Sequence, residues 1–237
     1  MNDQICQKPS DGLEVFRKLS AQFAQNFTTA LNTKIPEVGR VELKSRCLAS
    51  VGELLRDKCA VSNTQKQIAP IYDEVFADCI CSMYLAAQGL DKPAQLVLRR
   101  VLELGLAAAY LWDQPHVFWG WKEFDQDLSF TEIAGYLSSQ AYLRFVASEN
   151  GASEPVPLID VTLARNEYRA LSNTVHGKVS TFESPLIDRF RHSDVDWKAH
   201  LVRLESIQDL LLNLARGRFA AVRERLTIVQ PQIVPLS

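Results

Sequence analysis

The chain has 237 residues, with 26 Lys and Arg against 28 Asp and Glu and a formal net charge of −2. At 47% hydrophobic and 23% charged residues it can bury a sizeable core, which excludes the disordered and fibrous classes. Ten Gly and ten Pro are few for a turn-rich all-β domain, and the near-neutral balance excludes a uniformly basic nucleic-acid coat while permitting a local patch.

In chain order, Asp11 and Glu14 form a capping arrangement for a first helix, and Leu13, Phe16, Leu19, Phe23 and Phe27 recur along it at helical spacing. Ile35-Pro36 ends it, because a residue before proline is pushed out of the α region, and Pro36 opens a second helix carrying Val41, Leu48, Val51, Leu54 and Leu55. A third helix is expected from Pro70 to about Gln88, stopped by Gly89. Asp91 is expected to cap a fourth, apolar nearly all round and ended by Gln114-Pro115. Phe118, Trp119, Trp121 and Phe124 then read as a packed lid over the core.

Ser129-Phe130-Thr131-Glu132 matches a capping box for a fifth helix reaching about Ser148, and residues 149–157 read as an exposed loop. A sixth helix is expected over about Leu158 to Val175, an irregular stretch containing Ser184-Pro185 over 177–193, and one long amphipathic helix over about Asp194 to Thr227. Pro231 and Pro235 leave a short extended tail. No strand is expected. The reading is an all-α bundle of about seven helices, with residues 1–62 as an N-terminal helical hairpin packed on a bundle formed by 63–237.

Charge is uneven along the chain. Residues 1–160 sum to −5 and residues 161–237 to +3, so the C-terminal third is the better face for an anionic partner. Within it Arg216, Arg218, Arg223 and Arg225 cluster near the end of the long helix. The dipole of that helix and an RNA backbone are two open explanations for them.

Five cysteines show no disulfide framework, and Cys79-x-Cys81 sits in an apolar stretch where buried thiols are expected before a metal site. His116, His176, His192 and His200 are scattered, His200 being expected at the surface near Arg203. Phosphate-binding glycine loops, a nucleophile elbow and zinc-protease motifs are absent. No metal or cofactor is expected. The longest apolar stretch, Val101 to Trp112, is shorter than the roughly 20 residues that span a bilayer. No signal peptide is expected at the N-terminus, so the expected setting is cytoplasmic.

The segment that stands out is Tyr168-Arg169-Ala170-Leu171-Ser172-Asn173-Thr174-Val175-His176-Gly177. On a continuous helix Arg169, Asn173 and His176 share one face. Such a set suits a phosphodiester. The guanidinium holds the phosphate, the imidazole moves a proton to or from the ribose 2′-hydroxyl or the leaving oxygen, and the amide orients either one. The same residues also describe a helix end, with Gly177 in the left-handed conformation. Arg99 and Glu103, four apart on the apolar fourth helix, form either an internal ion pair or a pair that positions Arg169 or His176.

The spacing of Arg169 and His176, and the run Leu171 to Gly177, resemble the Arg-x(4–6)-His signature and "LS..VHG" ending of the HEPN superfamily in bacterial toxin and defence loci. Leu98 to Glu103 resembles the Arg-and-Glu stretch upstream of that motif. The resemblance covers about residues 70–226. It implies a helical bundle, a homodimer with the Arg and His of both copies facing one cleft, and metal-independent endoribonuclease activity within a toxin or antiviral system. It further implies Arg169 and His176 as the catalytic pair and an antitoxin or defence-system protein as partner; the RNA contacts expected of Arg216, Arg218 and Arg223 rest on the basic cluster alone. Ala170 departs from the pattern, which commonly has a polar residue there. The alternative is a HEPN-like module that binds RNA, a nucleotide or a protein without cutting, or a purely structural helical subunit.

Overall fold

The computed structural model describes residues 13–33, 35–178 and 190–229. The Asp11 cap, Cys6, residues 179–189 with Ser184-Pro185, and the tail prolines lie outside them. Among the described residues the protein is all-helical, with eleven α-helices and one π-helical turn. They are α1 (Leu13–Asn32), α2 (Pro36–Leu54) running into the π turn Leu55–Cys59, α3 (Asn63–Ile68), α4 (Ile71–Ala87), α5 (Asp91–Asp113), α6 (Pro115–Glu123), α7 (Phe130–Leu137), α8 (Gln140–Glu149), α9 (Val161–Val175), α10 (Asp194–Arg218) and α11 (Ala220–Val229).

The apolar fourth helix of the sequence is α5, and it is the centre of the core. Leu98, Val101, Leu102, Leu106 and the run Ala107 to Trp112 are buried, and α4, α6, α7, α9 and α10 pack around it. Full burial of each such leucine contributes about 1.5–3 kcal/mol. Gly105 is what allows α10 so close: a Cβ there would collide with the buried side chain of Leu211. The α4–α5 turn depends on Gly89, at φ +78°, whose N–H donates to the Ala86 carbonyl while that of Leu90 donates to Leu85. A Cβ at Gly89 would also press on Asn26 and Arg191.

The two helices of the expected N-terminal hairpin meet the core separately. α1 lies against α4, while α2 packs between α4 and α10. α2 and α10 run parallel: Arg40 pairs with Glu205, Lys44 bridges Glu205 and Asp209, and Gln208 donates to the Val41 carbonyl and to Ser45.

Several expected boundaries shift. Asp91 is the first residue inside α5 rather than its cap; the cap position is Leu90, which forms no side-chain capping bond. The aromatic lid is a helix, α6, opened by Pro115 at its first turn. The expected fifth helix divides at Ser138-Ser139, because the Ser139 hydroxyl accepts from the Tyr142 N–H and starts α8 afresh. At Ser129 the capping bond to the Glu132 N–H forms, but the Glu132 carboxylate turns away to accept from the Tyr110 hydroxyl. The expected long C-terminal helix breaks at Phe219, whose φ of −118° and ψ of 110° are extended. The break buries Phe219 edge-on against Trp112 and folds α11 back over α2.

Candidate functional site

α9 starts at Asp160, whose carboxylate accepts from the Leu163 N–H. Its inner face fixes its rotation. Ala164 and Leu171 are buried, and Thr174 donates to Gln95 of α5 at 2.6 Å. Glu167 pairs with Arg203 of α10 at 2.9 Å. The Tyr168 ring lies parallel to Phe130 with centroids 3.9 Å apart, and its hydroxyl accepts from Arg99 at 3.0 Å.

With that face turned in, the outward stripe carries Arg169 and His176, both exposed, and Asn173, partly so. None of the three side chains forms a hydrogen bond or ion pair among the described residues. Seven helical residues return within about 20° of the starting direction and rise about 10.5 Å. The helix ends as its Gly177 implies. Gly177 sits at φ +57°, its N–H donates to the Thr174 carbonyl, and the Lys178 N–H donates to that of Asn173. His176 is the last residue of this helix end, yet its side chain stands in solvent rather than folded inward. The two readings of the segment therefore coexist: the backbone terminates a helix while the ring remains available.

One residue was overlooked in the sequence. Arg165 lies four before Arg169, is exposed, and forms no hydrogen bond or ion pair among the described residues. Arg165 and Arg169 flank the line of His176 by about 20° on either side, so the stripe presents two guanidiniums, an amide and an imidazole. The one acidic side chain within the helix, Glu167, is turned away to Arg203.

Arg99 and Glu103 do pair, at 2.9 Å. Their reach to α9 is through Tyr168, the residue before Arg169, and the contacts they make there leave Arg169 and His176 untouched.

The C-terminal arginines separate. Arg218, expected as an RNA contact, is turned inward: Asp113 accepts two hydrogen bonds from it at 2.6 and 2.8 Å, and its guanidinium lies over Phe145 and Phe219. The interior places it there because Asp113, at the negative C-terminal end of α5, needs a countercharge. Arg216 and Arg223 instead border a groove of about 1350 Å³ between α2, α8, the start of α9 and α10. Its floor is apolar, including Leu143, Val146, Leu158 and Leu210, and Arg40, Lys44, Glu205 and Asp209 form an ion-pair network along one rim. Leu163 faces this groove, and Arg165 lies about 160° around α9 from it, so the groove and the stripe occupy different faces.

His200 is not a surface residue. It is 7% exposed, and its Nε2 lies 2.9 Å from the Ser82 oxygen. Ser82 donates its one proton to the Ala94 carbonyl at 3.0 Å, so the imidazole is the donor in the His200–Ser82 bond. Burial, aided by the charge of Arg203, lowers the imidazole to about 4. Cys79 is buried and pushed up to about 12 by that burial, while Cys81, two residues on, is exposed. Among the described residues no group of three or more His, Cys, Asp or Glu side chains converges as a metal site would require. No helix among the described residues is long and apolar enough to cross a membrane. Comparison with protein-family models, with curated proteins and with solved structures finds no match for this chain.

Proposed function

We propose that the chain is a HEPN-like helical protein that cuts RNA without a metal, in a prokaryotic toxin or antiviral setting, with the outward stripe of α9 as its site. The observation that carries the reading is the exposure, on one face of a helix held by its other face, of Arg165, Arg169, Asn173 and His176 with no partner among the described residues. The one acid within the helix, Glu167, is committed to Arg203 and leaves the stripe's positive charge uncompensated from α9 itself.

In this reading Arg169 holds the scissile phosphate and Arg165 an adjacent one. The ribose 2′-oxygen attacks phosphorus, the bond to the 5′-oxygen breaks, and the products are a 2′,3′-cyclic phosphate and a 5′-hydroxyl. His176 takes the 2′ proton or supplies one to the leaving oxygen, and Asn173 orients the phosphate. One imidazole performs one of these transfers; the same residue of a second copy, or water, performs the other.

The test is incubation of single-stranded RNA with the full chain in excess EDTA. Cleavage lost in both Arg169→Ala and His176→Ala supports the reading, and intact RNA across varied sequences overturns it.

The second reading is a non-catalytic HEPN-like module that binds RNA, a nucleotide or a partner protein. It is favoured by Ala170, which stands where the resembling pattern commonly has a polar residue, and by the groove beside Arg216 and Arg223. RNA retained on the protein but left whole selects this reading.

A further inference from the structure

Between α5, α6 and α7 lies a second cavity, about 200 Å³. It is smaller than the roughly 300 Å³ at which drug-sized sites begin, and suits one planar ring system. Trp121, Phe130, Leu106 and Ile133 supply aromatic and aliphatic walls, and two charged side chains, Arg100 and Glu103, also line it. Phe130 is itself buried and stacked on Tyr168, and Tyr168 precedes Arg169 on α9.

The two charged groups retain hydrogen-bonding capacity. Arg100 uses one N–H on Asp78 and one on Glu74, leaving three of its five donors. Glu103 accepts from Arg99 through Oε1, and Oε2 has no partner among the described residues. The carboxylate is 36% exposed, so it is reachable from outside.

We propose that this cavity is a nucleobase pocket and that its base is guanine. An aromatic slot accepts any base by stacking. The edge decides between them. Guanine offers the acceptors O6 and N7, which match a guanidinium, and on its other side the donors N1–H and N2–H, which match a carboxylate. Adenine places an amino group where guanine has O6 and meets Arg100 donor to donor. Neither pyrimidine carries both an adjacent pair of acceptors and an adjacent pair of donors, so neither matches the two groups as guanine does. The proposal rests on the RNA reading of α9: it supplies the base preference of the strand whose phosphates that helix holds.

The experiment is calorimetric titration of the full-length protein with GMP, AMP and UMP, then with single-stranded oligonucleotides that contain or lack guanine. The free nucleotides and the oligonucleotides separate a mononucleotide site from one that reads a base within RNA. GMP is expected to bind at least about tenfold more tightly than AMP or UMP. Glu103→Gln is expected to erase that preference, and Leu104→Trp, at the partly exposed rim, to block binding by filling the space. Thermal melting of both variants checks that they fold. Equal affinity for GMP and AMP, or GMP binding that neither folded variant alters, overturns the proposal. RNA cut with no base preference removes the guanine pocket and leaves the nuclease standing, whereas guanine-selective binding with RNA left whole does the reverse.

Discussion

Arg218, the last residue of α10, grips Asp113, the last residue of α5, through Nη2 to Oδ1 at 2.6 Å and Nε to Oδ2 at 2.8 Å. Tyr142 donates a third hydrogen bond to the same carboxylate at 2.8 Å, and both charged side chains are largely shielded from solvent, at 12% and 6% exposure. The pair locks the end of α10 at the point where the chain turns through Phe219 into α11. Desolvation of both ions offsets much of their attraction, so removal of one partner is worse than removal of both. Arg218→Gln is expected to lose about 3–5 kcal/mol in urea denaturation. Adding Asp113→Asn should recover most of that loss, and an additive double variant would contradict the pairing.

His200 makes stability depend on pH. In the unfolded chain the imidazole takes a proton near its ordinary 6.5, whereas in the folded protein it resists until about 4. The unfolded state binds more protons between those values, so its folded-state advantage is complete above 6.5 and falls as pH drops toward 4, by about 3 kcal/mol in all. The window from 6.5 to 5 lies above the ordinary carboxylate range, and since burial also raises the Asp78 carboxyl, the comparison with a His200 variant is what assigns the effect. Denaturation midpoints should decline there in the wild type and decline markedly less in His200→Gln.

Gly105 and Leu211 form a size-matched contact between α5 and α10. Gly105→Ala gains helix propensity yet inserts a methyl into a filled space, with a net loss of about 1–3 kcal/mol expected from overpacking. If the collision is the cause, Leu211→Ala should be less harmful in the Gly105→Ala background than alone. Thermal melting of the four proteins in the cycle checks this.

Arg165 tests the α9 stripe without touching the proposed proton transfer. Arg165→Gln should weaken RNA binding with little dependence on sequence and reduce the slope of log affinity against log salt by about 0.7, the single-strand value for one phosphate contact. Stability should be unchanged, since the side chain is exposed. An unaltered salt slope would place the RNA elsewhere.

Of the candidate site, the register of Arg169, Asn173 and His176 was legible because a helix converts spacing into direction. Arg165 was equally legible and lies on the same stripe. The burial of His200 was hidden, since its neighbours Lys198 and Arg203 read as surface and its partner Ser82 lies 118 residues away. Arg218 was misread for the same reason: in sequence it is one of four arginines, and only Asp113 distinguishes it.

The sequence by itself determined the helical class, the position of α5 at the centre and most helix starts, because periodicity, proline and capping serines act within a few residues. The tertiary structure decided where long helices break, which arginine turns inward, and which histidine leaves solvent. Those outcomes depend on countercharges and packing partners distant along the chain. Phe219 breaks the C-terminal helix because an extended residue there lets its ring meet Trp112 while Arg218 meets Asp113, a gain that no local propensity encodes.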